Sequence, residues 1–545
     1  LYRHEVQRGE AAGKVARGTT TVSSAATGTR PHWSVGRALA VQAARRPGEG
    51  RLWPRLIAAL LSGLLATATF PPYDVWPLAV PAVALLVLAC RSQRPRRAAL
   101  LGLVHGLALF VPMLSWLHIV GVDAWLLVAL LESAFVAGLG IVLALVTRLP
   151  GWPVWAAAGW VAEELARASV PFGGFPWGRL AFGQTGSPLA PYAALGGAPL
   201  VSFATALTGT LLALAVTARA RGLAVVVAAG VGVVAVPLAG LAVPLPTGGR
   251  AVTAAVIQGS VPGTGLHFLG RREEVLHRHV AATERLAAAV RRGTVARPDF
   301  VVWPENASDI DPFRNPDAYA AISHAVAVIG VPVLVGALLD GPDADHISNT
   351  GIVWTPQGGP GQRYVKRHPV PFGEYIPFRK QLSGLTSRLD QIPKDFYAGT
   401  EPGNLDLGNV PVGDVICFEV AYDGLVRDVV DGGATVLVVQ TNNATYNGTA
   451  QPAQQMAMSR LRAIEFGRSV LVASTSGISA IVRPDGHVVA QTPERVARTL
   501  VAEVPLRQGR TLAARIGPWL EWGLSGLALA AALLGVVSAR RRDPV

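Results

Sequence analysis

The sequence predicts a multi-span α-helical membrane domain joined to an α/β sandwich domain. Three observations carry that expectation. Only 15% of the 545 residues are charged, against 51% hydrophobic, well under the roughly 25% charged of a soluble globular chain. Eight apolar runs approach the length of about 20 residues that a helix needs to cross a bilayer. Between the seventh and eighth runs lies a polar stretch, 245–516, in which strand-like and helix-like patterns alternate, as an α/β fold requires.

Residues 1–52 are rich in Gly, Ala, Ser, Thr and Arg and show no apolar period. They read as a disordered, basic, cytoplasmic arm without the apolar core of a secretory signal. The membrane domain then covers 53–244, with spans expected at about 53–70, 74–90, 98–119, 124–147, 152–170, 190–217 and 222–244. The last span, 517–538, opens a final segment, 517–545, that ends in a basic cytoplasmic tail. The run 152–170 is the weakest, because WVAEELARASV carries Glu163, Glu164 and Arg167.

Arginine placement sets the expected orientation, since cytoplasmic loops collect Lys and Arg. With the N-terminus inside and eight crossings, Arg45, Arg46 and Arg51 fall inside. So do Arg91, Arg94, Arg96 and Arg97, then Arg148, Arg219 and Arg221, and the tail Arg540, Arg541 and Arg542. Arg179 is the main exception. The 245–516 insert is then extracytoplasmic, in a multi-pass protein of the cell membrane.

The formal net charge of +13 invites a nucleic-acid reading, but its distribution excludes one. Residues 1–52 hold nine Lys/Arg and three Asp/Glu, whereas 250–515 hold 26 and 25. The large polar domain has no basic excess for a phosphate backbone. Two cysteines, one of them Cys90 in an apolar run, supply neither a disulfide framework nor a cysteine zinc site. Histidine spacing predicts no metal, and no cofactor is expected.

In the insert, apolar strand-like runs recur at 251–258, 300–304, 331–338, 410–418, 434–440 and 469–475. Helical patterns sit between them at 272–292 and 453–467. Three strand ends deliver one reactive group each. Glu305 ends FVVWPEN, Lys366 lies in QRYVKRHPVPFGEYIP, and Cys417 ends VPVGDVICFE. A cysteine at a strand-to-helix turn, with a cation nearby, is placed for thiolate chemistry. A carboxylate can take the thiol proton and return it to a leaving group. Taken singly, each has a plainer reading: a core cysteine, a helix-capping Glu, a solvated Lys. Composition bears on the last, because the chain has 44 Arg and four Lys. An Arg-biased sequence that keeps Lys at 366 points to a need for a compact ammonium.

The insert resembles the nitrilase superfamily, whose Glu-Lys-Cys set occurs in this chain order. The words VVWPEN, VKRHPVPFGEYIPFR, ICFE, QTNNATYN and RAIEFGRSVLVASTSGIS, set between seven spans and one, look like the apolipoprotein N-acyltransferase family over about residues 53–538. The resemblance implies a nitrilase-like α-β-β-α sandwich with Glu305 as general base, Lys366 as oxyanion stabiliser and Cys417 as nucleophile. It implies supporting roles for Glu374 and Glu419. Phe418 departs from the Tyr common in the family after the cysteine. His267 and Phe268 occupy a stretch where the family commonly has a functional Trp, and TNNATYN replaces a TNDAWFG-like segment. These departures bear on lipid or acceptor preference more than on the reaction.

What the resemblance implies is an acyltransferase of the last step of lipoprotein maturation. The donor is a membrane phospholipid, the intermediate a cysteine thioester, and the acceptor a diacylglyceryl-modified apolipoprotein. No nucleic acid takes part, and the protein is expected to be monomeric. A membrane-tethered amidohydrolase would need the same three residues, and a catalytically inactive lipid-binding scaffold would need none. FGGFPWGRLAFGQ (172–184) reads as an aromatic interfacial loop or as a shaper of lipid access. Asn443 and Asn447 match glycosylation sequons.

Overall fold

The computed structural model describes residues 51–218, 222–261, 263, 273–382 and 392–542. The arm up to residue 50, Arg219 and Arg221, His267 and Phe268, and the side chains of Arg540, Arg541 and Arg542 lie outside the described residues.

Each predicted span carries a helix. They are α1 (Leu52–Thr67), α2 (Ala79–Cys90), α3 (Pro95–Met113), α4 (Val122–Val146), α5 (Trp152–Arg167), α6 (Ala193–Thr217) and α7 (Leu223–Leu241), with Trp519–Arg542 after the insert. Among the described residues five, α3, α4, α6, α7 and the last, are long and apolar enough to cross a membrane. The other three are shorter than the sequence predicts. The 74–90 run starts with a 3-10 turn, Trp76–Leu78. The 98–119 run leaves the helix at Leu114, just past Pro112, and continues as a 3-10 turn, Ser115–Ile119. A proline removes one N–H from the ladder and crowds the preceding turn.

The charges that weaken the fifth run turn inward. Glu163, Glu164 and Arg167 are all buried. Arg167 pairs with Glu163 at 3.1 Å and with Glu132 of α4 at 3.5 Å. Glu164 accepts the Leu180 N–H at 2.7 Å. Intramembrane charges are tolerated where they pair inside the bundle. Lipid-facing residues are apolar instead, with Leu223, Val231 and Leu241 of α7 and Trp522, Leu529 and Leu533 of the last helix all exposed.

One end of the bundle collects the loop arginines. Arg55 donates to the carbonyls of Leu88, Ala89 and Arg91. Arg91 reaches Thr217 at 2.5 Å and lies over the Trp152 ring, and Arg148 donates to the Gln93 carbonyl. The start of α1, the α2–α3 loop, the α4–α5 loop and the end of α6 therefore meet there. The insert leaves from the opposite end of α7.

Among the described residues the insert supplies thirteen strands. In chain order they are β1 (Arg250–Gln258), β2 (Phe300–Val302), β3 (Val333–Asp340), β4 (His346–Thr355), β5 (Gly359–Val365), β6 (Asp395–Phe396), β7 (Asn404–Asp406), β8 (Pro411–Ile416), β9 (Val436–Thr441), β10 (Val470–Ser474), β11 (Ala480–Val482), β12 (Val488–Gln491) and β13 (Arg498–Leu506). One sheet runs β13-β1-β2-β3-β4-β5 with β6 beside β4, and the other runs β12-β11-β10-β9-β8-β7. The centres β1-β2-β3 and β8-β9-β10 are parallel. The flanking pairs are antiparallel, except that β6 runs parallel to β4.

Alternation decides which face each residue takes, because side chains point to opposite faces with period 2. Val252, Ala254 and Val256 face the other sheet, against Val412, Ile416, Val436 and Val438. Ala255 and Ile257 face outward, onto the helices α8 (Glu274–Arg291) and α9 (Pro316–Ile329). The second sheet's outer face is covered by α9's counterparts α10 (Asp423–Asp431) and α11 (Gln451–Phe466). The result is the predicted α-β-β-α order.

The layer of α10 and α11 does double duty. Val426, Val429, Met458 and Leu461 belong to one continuous apolar core with Val83, Leu109 and Trp177 of the bundle region. The helix α6 breaks at Gly196 and Gly197, the latter at φ 68. A Cβ at Gly197 would lie 2.6 Å from Glu465 Oε1, so glycine there admits both the left-handed turn and the approach of α11. The last helix, α12 (Trp519–Arg542), follows β13 and a short helix at Leu512–Ile516.

Candidate active site

Cys417 sits where β8 stops. Val412 and Ile416 anchor the strand between the sheets. Cys417 then takes φ 55, a left-handed conformation that costs a non-glycine residue on the order of 1–3 kcal/mol. The chain winds on through a 3-10 turn, Cys417–Ala421, into α10. There the Sγ receives the Thr441 hydroxyl at 3.3 Å and the Gln455 amide at 3.7 Å. Cys90 has no such setting. It is fully buried in the bundle, and neither cysteine is bridged.

Glu305 and Lys366 come to the same place from the first sheet. Glu305 lies three residues past β2 and Lys366 directly follows β5, and both are buried. The Lys366 ammonium is 3.3 Å from Glu305 and 2.7 Å from Glu374. Glu305 also accepts the Asn349 amide at 2.6 Å and the Asn442 N–H at 2.7 Å. Glu374 accepts the Val370 N–H at 2.7 Å, which folds the PFGEY turn back over Lys366.

Glu419 joins the two halves. Its carboxylate accepts the Ile416 N–H at 2.7 Å beside the cysteine. It also accepts the N–H groups of Arg367 and His368, just after the lysine, and the Tyr364 hydroxyl just before it. Phe418 points the other way, toward the bundle.

The electrostatics differ from a preformed thiolate. Burial and the Glu305 carboxylate push the Cys417 thiol up from 9.0 to about 12, against the pull of Lys366. The Lys366 ammonium stays charged: burial works against it, but Glu374 and Glu305 outweigh burial and raise it above the ordinary range. Burial, with Glu305 beside it, raises the Glu374 carboxyl, against the pull of Lys366. Burial and Lys366 lower His368 to about 4, which leaves it neutral. The cluster thus combines a thiol and an ammonium with the Glu305 and Glu374 carboxyl groups. Such a cluster can pass the thiol proton to a carboxylate as the sulfur attacks. Among the described residues, no group of three or more His, Cys, Asp or Glu side chains is arranged to hold a metal ion.

Several site residues escape sequence reasoning. Asn349, Thr441, Asn442 and Gln455 are polar residues whose contacts span 24 to 137 positions and cross between elements. Only the segment QTNNATYN carried a signal, through its resemblance to the family. Its two sequon asparagines are buried. Asn443 donates to Gln451 and Gln455, and Asn447 to Ser476, so neither is presented as a glycosylation acceptor.

The FGGFPWG loop and Trp116 close the site from the bundle side. Phe418 stacks against Phe175 and Trp177, with centroids 5.7 and 6.0 Å away. Trp116 packs on Trp177 and on Tyr446. Gln454 of α11 accepts both indole N–H groups and donates to the carbonyls of Pro71 and Met113. Arg179, the exception in the charge pattern, is buried and bonds Asp423 and Glu521 at 2.8 Å each. It serves packing rather than marking a side of the membrane. Beside it a cleft of about 360 Å³ opens between Leu165, Pro176, His368, Tyr422 and Leu425.

Known proteins share this arrangement of sequence. Residues 62–211 match the Apolipoprotein N-acyltransferase N-terminal domain, and residues 253–514 match the Carbon-nitrogen hydrolase domain. The chain is 40% identical over 462 residues to an apolipoprotein N-acyltransferase of Mycolicibacterium smegmatis, covering 80% of this chain and 77% of that one. It is 30% identical to those of Pseudomonas syringae and Azotobacter vinelandii, covering 90% and 91% of this chain and 96% of each relative. With its two matching domains and relatives aligned over most of their length, the chain belongs to the apolipoprotein N-acyltransferase family.

Proposed function

We propose that the protein moves an acyl chain from a membrane phospholipid to the α-amine of the lipid-modified N-terminal cysteine of an apolipoprotein. The observation that carries this reading is the seat of the Glu-Lys-Cys cluster. Cys417 lies beside Phe418, which stacks on the Phe175 and Trp177 rings of the bundle region. A nucleophile in that place faces substrates that arrive from the bilayer.

The reaction runs in two steps. Glu305 takes the proton of Cys417 as the sulfur attacks the ester carbonyl. The Lys366 ammonium and the amides of the Cys417–Ala421 turn, the elbow, stabilise the oxyanion, a kind of donor worth about 10²–10³-fold in turnover. The carbon–oxygen bond breaks, Glu305 returns the proton to the lysophospholipid, and a thioester remains on Cys417. The acceptor amine then attacks the thioester, gives a proton to Glu305, and the carbon–sulfur bond breaks. That proton returns to the thiolate as the amide product leaves. Glu374 holds the lysine, and Glu419 holds the elbow against the lysine loop.

The membrane domain is assigned to 53–244 with a last span after 517, and the catalytic domain to 245–516. The arginines gathered at the end of the bundle away from the insert support a cytoplasmic face there. The catalytic domain is then extracytoplasmic, and the protein works as a monomer. Incubation with phospholipid labelled in one acyl chain tests the reading. The label should move to Cys417, then to the amine of a diacylglyceryl lipopeptide. Label released as free fatty acid at the same rate with and without lipopeptide would make the enzyme a hydrolase instead.

A further inference from the structure

Beneath the Glu305–Asn349 layer, a second polar layer lies between the two sheets. Asp414, Gln440 and Gly351 all face inward there, on the same strand faces as Val412, Val438 and Val353. Asp414 is completely buried three residues before Cys417, and Gln440 is completely buried one residue before Thr441. Gly351 leaves the space for both. A Cβ at Gly351 would meet Asp414 Oδ2 at 2.3 Å and Gln440 Oε1 at 2.8 Å. These two oxygens therefore converge on one spot.

The hydrogen-bond arithmetic there is short of one proton. Gln440 Nε2 donates to the Trp303 carbonyl at 2.6 Å. A carbonyl only accepts, so the amide orientation is fixed and Gln440 Oε1 must face Asp414. Among the described residues, Gln440 Oε1 and both Asp414 oxygens have no hydrogen-bond partner, and no cation pairs with Asp414. Two facing oxygens repel unless one carries hydrogen, and a buried unpaired carboxylate is far costlier than its neutral acid. The charged groups that bear on it, Glu419 and Glu305, are both acidic, and with burial they hold the Asp414 carboxyl well above its ordinary range.

We propose that Asp414 is a positioning residue for Glu305: as a neutral carboxylic acid it donates to Gln440 Oε1 and so holds the Gln440 amide on the Trp303 carbonyl. Trp303 is separated from Glu305 only by Pro304, so this chain of bonds sets the backbone from which the general base projects. The proposal rests on Glu305 being that base. Misplacement of a reacting group by about 1 Å is enough to cost about 10²-fold in rate.

The test compares Asp414→Leu, Asp414→Asn and Gln440→Met in the full-length membrane enzyme. Thioester formation from labelled phospholipid is read alongside folding in the membrane. Asp414→Leu and Gln440→Met should fold, lower the maximal rate by about 10- to 10²-fold, and leave the KM for phospholipid within about twofold. Asp414→Asn keeps a neutral donor and should restore most of the lost rate. Infrared difference spectra of unreacted wild type against Asp414→Asn should show the carbonyl stretch of a protonated acid. That band is read without turnover, so it judges Asp414 even if the acyl-transfer reading fails. Asp414→Asn as slow as Asp414→Leu, a carboxylate band in place of the acid band, or a wild-type rate in Asp414→Leu would each overturn the proposal.

Discussion

The Glu419 carboxylate accepts the backbone N–H of Arg367 at 2.7 Å, which ties the turn after Cys417 to the loop after Lys366. These residues follow strands of different sheets and lie 52 positions apart. The same carboxylate takes the Ile416 and His368 N–H groups and the Tyr364 hydroxyl. Cys417 and Lys366 are therefore held by a common anchor, and their separation is fixed before any substrate binds.

Removing that anchor should show it. In Glu419→Gln one acceptor oxygen becomes an NH₂ group, which cannot serve the N–H donors it would face. Each donor left unsatisfied costs about 1–3 kcal/mol. The expected result is a protein still inserted in the membrane, with a lower melting temperature and thioester formation slowed by about 10²-fold. A variant with wild-type melting and wild-type acylation would show that the elbow holds its shape without Glu419.

The two cysteines should behave in opposite ways. Cys417→Ala is expected to form no acyl-enzyme, whereas Cys90→Ala, in a bundle position far from the chemistry, should keep most activity. The measurement is label retained on the protein after acid quench.

Glu305→Gln should separate reactivity from catalysis. The Glu305 carboxylate helps raise the Cys417 thiol from 9.0 to about 12. Removing it leaves Lys366 to favour the thiolate, so alkylation of Cys417 by iodoacetamide at mildly alkaline pH should speed up. Acyl transfer should fall by about 10²–10⁴-fold, the usual worth of a general base. In the wild type, a folded thiol that titrates above its unfolded value stabilises the fold at low pH. That contribution is lost as pH rises through the window from 9.0 to about 12. Slower alkylation together with normal acyl transfer would assign the base elsewhere, with Glu374 next in line.

Lys366→Arg keeps the charge and changes the shape. The ammonium fits between Glu305 and Glu374 at 3.3 and 2.7 Å, and a planar guanidinium is larger and differently directed. Thioester formation should fall by about 10²–10³-fold with normal expression in the membrane. A wild-type rate would leave Lys366 a structural charge only.

Topology reporters test the orientation. A reporter fused after residue 300 should lie outside the cytoplasm, and one fused after Val545 inside. Both on one side would remove the eight-crossing arrangement.

The strands of the parallel centre were legible as apolar runs because both their faces are buried. The flanks were not. Strands β5, β12 and β13 have residues exposed to solvent along their length, so their pattern is mixed. The length of α2, and the end of α3 at Leu114, also differed from the apolar runs. Hydropathy reports which residues avoid water, and it does not report where Pro112 and the 3-10 turns redirect the chain.

Sequence alone singled out Glu305, Lys366 and Cys417 as candidates, since each ends a strand-like run and sits in words shared with a family. It also determined the split between an apolar bundle and a nearly neutral insert. Only the tertiary structure decided what surrounds them. Asn349, Asn442 and Gln455 have no local pattern, because hydrogen bonds between residues 38 to 137 positions apart leave no periodicity in either segment; Asp414 meets Gln440 only through the packing of the strands. The same holds for Arg179 and Arg167. Charge counting reads Arg179 as an exception to the orientation and Arg167 as a weakness of the fifth span, yet carboxylates on other elements hold both inside the protein, and those partners meet them only once the chain has folded.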